Sequence, residues 1–130
     1  MEGNVLDVHK LRPSQFRGLD RRRTVAVLPF APIECHGEHL PLGTDYIAAG
    51  ELFRSAAERF AEANPEWKFL FTPVIPLGAD AVPHGGSLWV SAGVVRDVAD
   101  EMTKRFIEYG FRFVALFSSH GGFGQTLAME

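Results

Sequence analysis

Apolar positions in this chain fall into three short runs separated by two longer stripes. The runs cover residues 24–30 (TVAVLPF), 69–76 (FLFTPVIP) and 111–118 (FRFVALFS). Each is rich in β-branched or aromatic residues and bounded by turn formers, so each reads as a buried strand. Pro29 and Pro73 have no N–H to give a ladder, which predicts strand ends or edges close to them. In 46–62, Ala49, Leu52, Phe53, Ala56, Ala57 and Phe60 fall on one helical stripe, and Asn64-Pro65 stops it. In 92–109, Val95, Val98, Met102, Phe106 and Tyr109 repeat the pattern, with Gly110 placed as the residue just past the helix. Strand, helix, strand, helix, strand predicts an α/β fold with a parallel sheet and right-handed crossovers. A further helical pattern opens at 125–130 and covers little more than a turn, too short to stand alone. The expected architecture is therefore a three-stranded sheet that looks like half of a larger fold. It forms a single, partial domain over 1–130.

Composition narrows the class. Hydrophobic residues make up 46% and charged residues 22% of 130 positions, which excludes a disordered chain and fits one folded domain. The net charge is −3 and the basic residues are dispersed except at Arg21, Arg22 and Arg23. That run reads as a solvated lead-in to the first strand; without a basic stripe, no nucleic-acid partner is expected. Cys35 is the single cysteine, so an internal disulfide and a cysteine-based zinc knuckle are both excluded. Residues 1–10 are polar, with no apolar core of a leader peptide, and no run reaches the length of a membrane span. The expectation is a cytoplasmic protein that does not engage membranes.

Chemistry concentrates where strands give way to glycine- and proline-rich loops. Glu34 and His36 follow the first strand, Asp45 opens the first helix, and His120 follows the third strand. In open α/β sheets, ligands bind beyond the carboxyl ends of strands, so these loops should meet at one edge. Two carboxylates and two imidazoles are the donor set of a Zn²⁺, Mn²⁺ or Fe²⁺ hydrolase site. Each residue also has a plainer reading. Asp45 suits a helix start, where the dipole favours a negative charge, and His120 suits a strand end bonded to Ser118 or Ser119. Cys35 beside His36 could suggest a cysteine nucleophile, but sequence neighbours on an extended segment point apart.

The stretch Glu34-Cys35-His36-Gly37-Glu38-His39-Leu40-Pro41-Leu42-Gly43-Thr44-Asp45 resembles the E-x-H-G-x-H-L-P-x-x-x-D signature of the creatininase family of metal-dependent amidohydrolases. Ser119-His120-Gly121-Gly122 is similar to that family's H-G-G motif, and order and separation agree from about residue 24 to the C-terminus. The resemblance implies a three-layer α/β/α fold and a centre of two divalent ions. By that resemblance Glu34 and His120 hold one ion, His36 helps hold the second, and Asp45 bridges them. A carboxylate suits the bridge because its two hard oxygens can bind two cations and offset their repulsion. The implied reaction is attack of a metal-activated water on the non-peptide or cyclic C–N amide bond of a small molecule.

His39 is expected to orient a ligand, His84 to lie in a loop with a possible substrate contact, and Gly121 and Gly122 to open the backbone toward substrate. In creatininase itself an acidic ligand of the second ion lies two residues past the last histidine, where this chain has Gly122. The H-G-G form looks more like the formamide hydrolase and peptidase branches than like creatininase. Family members are longer, and the general acid and base are implied to lie in their later segment. Uncovered sheet edges and the resemblance both imply a homo-oligomer. The alternative reading is a catalytically incomplete, truncated homologue serving as a metal-binding or assembly module.

Overall fold

The structure is a computed structural model that describes residues 3–130; Met1 and Glu2, at the start of the polar opening segment, lie outside the described residues. Its central element is strand β2 (Thr24–Phe30), whose residues alternate between the two faces of the sheet. Ala26, Leu28 and Phe30 enter one core with Val95, Ala99 and Phe106 of helix α3 (Ala92–Glu108). Val25 and Val27 enter a second core with Phe53, Ala57 and Ala61 of helix α2 (Thr44–Ala63). Burial on both faces explains why the β2 sequence is continuously apolar, and two cores on opposite faces make the three layers α/β/α.

The sheet has four strands rather than three. In order across the sheet they are β1 (Val5–Asp7), β3 (Lys68–Phe71), β2 and β4 (Phe113–Ser118), and every neighbouring pair is parallel. Ala26 stands between Leu70 on one side and Val114 on the other, so the carboxyl ends of the strands share one edge. β1 was hidden because it is three residues long and sits in a polar segment; Leu6 is its one buried side chain. An ion pair between Asp7 and Arg54 fastens it to α2, and Arg54 also lies over the Phe71 ring at 4.8 Å. Burial pushes the Asp7 carboxyl up, yet Lys10 and Arg54 together hold it below its ordinary 3.8.

Other boundaries shift for identifiable reasons. β3 stops at Phe71, not at 76, because Pro73 interrupts the ladder; Ile75 then recovers a single bridge to Phe30. Pro29 lies one residue before the end of β2. On α2 the buried ridge is Asp45, Ala49, Ala57 and Ala61, whereas Leu52 is 61% and Phe60 46% exposed, so the expected stripe is rotated. α3 ends as predicted. Gly110 has φ +88°, its N–H reaches the Ile107 carbonyl and the Phe111 N–H reaches that of Phe106. The Phe106 and Phe111 rings meet edge to face at 5.3 Å across this cap, which is why β4 starts at Phe113 rather than 111. The last helix, α4 (Phe123–Met129), packs on α3. Among the described residues no helix is long and apolar enough to cross a membrane.

Arg21 corrects the solvated reading of the arginine run. Its guanidinium donates to the carbonyls of Phe16, Leu19 and Tyr109 and lies over the rings of Phe16 and Phe111 at 4.7 and 4.5 Å. It thereby joins the end of helix α1 (Pro13–Arg17) to the end of α3, while Arg22 and Arg23 stay exposed. Arg21→Ala is expected to cost about 1–3 kcal/mol in urea unfolding, with little rescue by Arg21→Lys, against about 0.5 kcal/mol or less for Arg22→Ala. Similar losses for Arg21→Ala and Arg22→Ala would refute this bracing role.

Candidate metal centre

Three loops meet at the carboxyl edge of the sheet. Loop 31–43 leaves β2 and folds back so that the Glu34 N–H reaches the Leu42 carbonyl at 2.9 Å. Asp45 sits in the first turn of α2, and the Ser119 hydroxyl, just past β4, donates to its carbonyl at 2.7 Å. Loop 72–91 crosses over both, pinned by an antiparallel bridge between Ile33 and Leu88. Glu34, Asp45 and His120 are thereby buried together at 5%, 7% and 8% exposure, in a molecule where such residues are rarely buried unpaired.

Their polar atoms converge. His120 Nδ1 lies 3.0 Å from Glu34 Oε2 and 3.1 Å from Asp45 Oδ2. One ligand atom from each of the three residues falls within 4.8 Å of the others. His36, half-buried, reaches the far oxygen of the same aspartate, with Nε2 3.4 Å from Asp45 Oδ1 and 3.7 Å from Glu34 Oε2. The structure therefore brings Glu34, His36, Asp45 and His120 into one cluster.

Hydrogen bonds on the outer side of each group fix which atoms face inward. His120 Nε2 lies 2.8 Å from the Ala79 carbonyl; a carbonyl only accepts, so Nε2 carries a ring hydrogen and Nδ1 faces the two carboxylates. His36 Nδ1 lies 3.1 Å from the Glu34 carbonyl, so Nδ1 donates there and Nε2 faces inward. Glu34 Oε1 accepts the Val82 N–H at 2.6 Å, leaving Oε2 for the cluster. Two buried carboxyl groups side by side, with an imidazole nitrogen of each histidine turned toward them, crowd polar atoms in a way that protons or a cation must relieve.

The carboxylates register this conflict. Burial, and then the contact with Glu34, push the Asp45 carboxyl above its ordinary 3.8, against the pull of the two imidazoles. Burial also pushes Glu34 up, but the Val82 N–H, the hydrogen bond from Asp45 and the imidazoles bring it below 4.5. The two carboxyl groups therefore titrate together as a pair. A divalent cation supplies what a bound proton supplies, with more charge, and the donor set of carboxylate oxygen and imidazole nitrogen suits zinc or manganese.

His39 and His84 stand outside the cluster and are exposed; the His39 ring lies over Gly37. Gly121 is exposed and open, whereas a Cβ on Gly122 would lie 2.5 Å from His120 Nε2 and 2.8 Å from the Ala79 carbonyl oxygen. Cys35 gives its N–H to the Ser87 hydroxyl at 2.9 Å. Ala79, Val82 and Ser119 went unrecognised in the sequence. The first two act through their backbone, which carries no residue-type signal, and the serine is one of a pair at a strand end.

A four-stranded parallel sheet between helical layers, with acidic and imidazole donors at its carboxyl edge, defines an α/β protein with a candidate metal site. The creatininase (creatinine amidohydrolase) family model matches residues 9–129, and the chain belongs to that family. No curated protein matches the sequence. Among solved structures, a creatininase described as its manganese form superposes with a TM-score of 0.74 at 17% identity, covering 96% of this chain and 48% of its own. A protein of Bacteroides fragilis described as a creatinine amidohydrolase gives 0.75 at 20% identity, covering 92% of this chain and 47% of its own. A mutant creatininase of zinc–zinc type gives 0.72 at 15% identity, covering 98% and 49%. At these identities the likeness concerns the fold, and the chain spans about half the length of the solved relatives it matches.

The shifted carboxylates yield a test on metal-free protein. Asp45 has a folded pKa above its ordinary 3.8, so its contribution to stability is full below that value and is lost as pH rises through the folded one. Glu34 has the opposite sign, and its contribution disappears only as pH falls below 4.5 through its lowered value. Asp45→Asn should therefore flatten the decline of stability as pH rises above 3.8 in chelator-treated protein, and leave it at least as stable as the parent at neutral pH. Parallel pH–stability curves for the two proteins would count against a strained carboxylate pair.

Proposed function

We propose that the chain is a divalent-metal-dependent hydrolase of a C–N amide bond in a small molecule, cyclic or non-peptide. The observation that carries this reading is the convergence of His120 Nδ1, Glu34 Oε2 and Asp45 Oδ2 on one buried point. Glu34, Asp45 and His120 would hold one ion, and His36 with the second oxygen of Asp45 would reach another. Bound there, a zinc or manganese ion, or iron, would lower the pKa of water toward neutrality and polarise the amide carbonyl. The protein's own part is to orient both imidazoles through their outer nitrogens and to hold Asp45 so that its two oxygens face different partners.

Substrate choice turns on Gly122. One solved mutant creatininase is complexed with creatine. In this chain the position expected to carry that enzyme's extra acidic ligand has no room for a side chain unless the His120–Ala79 hydrogen bond moves. We therefore assign an amide other than creatinine. The same glycine supports the second reading, a metal-binding or assembly module without turnover. Metal content and amidase activity on one sample separate the two, because an assembled site loads metal in either case and only the first hydrolyses amide.

We also propose a cytoplasmic homo-oligomer. β4 is an edge strand without charge or proline, Phe113 is 39% exposed, and an apolar groove between Phe53, Phe60 and Trp67 runs beside it. Light scattering at micromolar concentration should give a mass above one chain; a monomer would refute it.

Asp45→Ala is expected to damage metal binding more than His36→Ala. Losing Asp45 removes a donor from both positions and the charge that tempers cation repulsion, whereas losing His36 weakens one ion. Calorimetric titration with zinc or manganese should find both ions lost in the first variant and one retained in the second. Loss of a single ion in both would mean that Asp45 does not bridge.

A further inference from the structure

We infer that Gln125, in the last helix, is a positioning residue that sets the tautomer and orientation of His120. Gln125 is 1% exposed, a buried amide on a helix whose apolar side otherwise offers Ala128 and Met129 to the core. Its Oε1 accepts the Ala79 N–H at 2.9 Å, a contact that fixes the amide's orientation because a peptide N–H only donates. The Nε2 group must then face the other way, where it donates to the Ser118 hydroxyl at 3.3 Å and lies 3.4 Å from Met129 Sδ. The Ser118 oxygen also accepts the His120 backbone N–H at 3.2 Å, and the His120 ring donates from Nε2 to the Ala79 carbonyl at 2.8 Å.

These four contacts close a ring through Ala79, Gln125, Ser118 and His120. Ala79 lies on a loop of 20 residues without regular structure of its own. Such a segment does not hold one carbonyl in place by local geometry, so the hydrogen bond that sets the ring hydrogen of His120 needs an anchor from elsewhere. Gln125 supplies that anchor from α4, through the Ala79 N–H and the Ser118 hydroxyl. Gly122 completes the enclosure, since any side chain there would intrude between His120 Nε2 and Ala79. Groups that orient a metal-binding imidazole from its far side govern affinity through the ligand rather than by contact with the ion.

The role at the metal rests on the proposed function, but the tautomer does not, so two readouts are needed. In metal-free, ¹⁵N-labelled protein at a pH where imidazoles are neutral, long-range proton–nitrogen correlation spectra should show His120 as the Nε2–H tautomer. Gln125→Met, which keeps the volume and removes both hydrogen bonds, should give a mixture of tautomers and weaken zinc binding about 10–100-fold. Gln125→Glu, with an acceptor still facing the Ala79 N–H, should keep the parental tautomer and most of the affinity. A folded Gln125→Met protein with parental tautomer and affinity would overturn the inference, as would an Nδ1–H tautomer in the parent. Should Gln125→Met not fold, Ser118→Ala cuts the ring on the other side of the amide and should partly mix the tautomers; an unchanged His120 signal would overturn the inference equally. A tautomer that responds as expected in a protein that binds no zinc would defeat the metal reading and leave the positioning role intact.

Discussion

Two carboxyl groups buried side by side, with imidazole nitrogens turned toward them, are the constraint around which the rest of this molecule is organised. Left to itself such a cluster would open to water or take up protons, because burial disfavours charge and neighbouring negative groups disfavour it further. It stays closed because each member is held from behind. Glu34 is held by the Val82 amide, His120 by the Ala79 carbonyl, His36 by the Glu34 carbonyl and the Asp45 backbone by Ser119. The parallel sheet makes this possible by delivering the ends of β2 and β4 and the start of α2 to one edge. A buried polar cluster of this sort costs the fold stability, and the apolar cores on both faces of β2 offset it.

How far the sequence alone carried depended on whether the determining contacts ran through side chains. The apolar runs at β2 and α3 and the Gly110 cap announce themselves by type and spacing, and the structure has them where expected; Glu34, His36, Asp45 and His120 lie near one another at one sheet edge. What stayed hidden was carried by the backbone or by neighbours distant in sequence. β1 is too short and polar to show periodicity, and Pro73 breaks β3 in a run that is otherwise uniformly apolar. Leu52 and Phe60 match the helical stripe of α2 yet lie outside the buried ridge, since the sheet contacts the alanines instead. Arg21 looks like any surface arginine until the turns after α1 and α3 bring carbonyls and rings around it.

Membership of the creatininase family and the fold of its solved members agree with the site, and they also sharpen one difference. Gly122 and Gly124 both lie against loop 72–91, where a Cβ on Gly122 would meet Ala79 and Asp80. Asp80, at φ +58°, takes the Gly124 N–H, and a Cβ on Gly124 would lie 2.6 Å from its carboxylate. Gly122 and Gly124 thus serve packing against this loop, and the absence of an acidic side chain at 122 is tied to the way His120 is held.

The backbone support given by loop 72–91 has a consequence for how such a protein can change over generations. Ala79 and Val82 steady the cluster through a carbonyl and an amide, so their own side chains, and those of Pro83 and His84 beyond, are free of that duty. Val82 is 44% exposed and His84 faces solvent at the rim. Drift in this loop can therefore alter the shape and polarity of the surface above the cluster while the cluster beneath keeps its support, with proline alone barred from position 82 because it would remove the amide that Glu34 requires. A lineage with this arrangement can vary that rim by single substitutions that leave the buried polar groups in place.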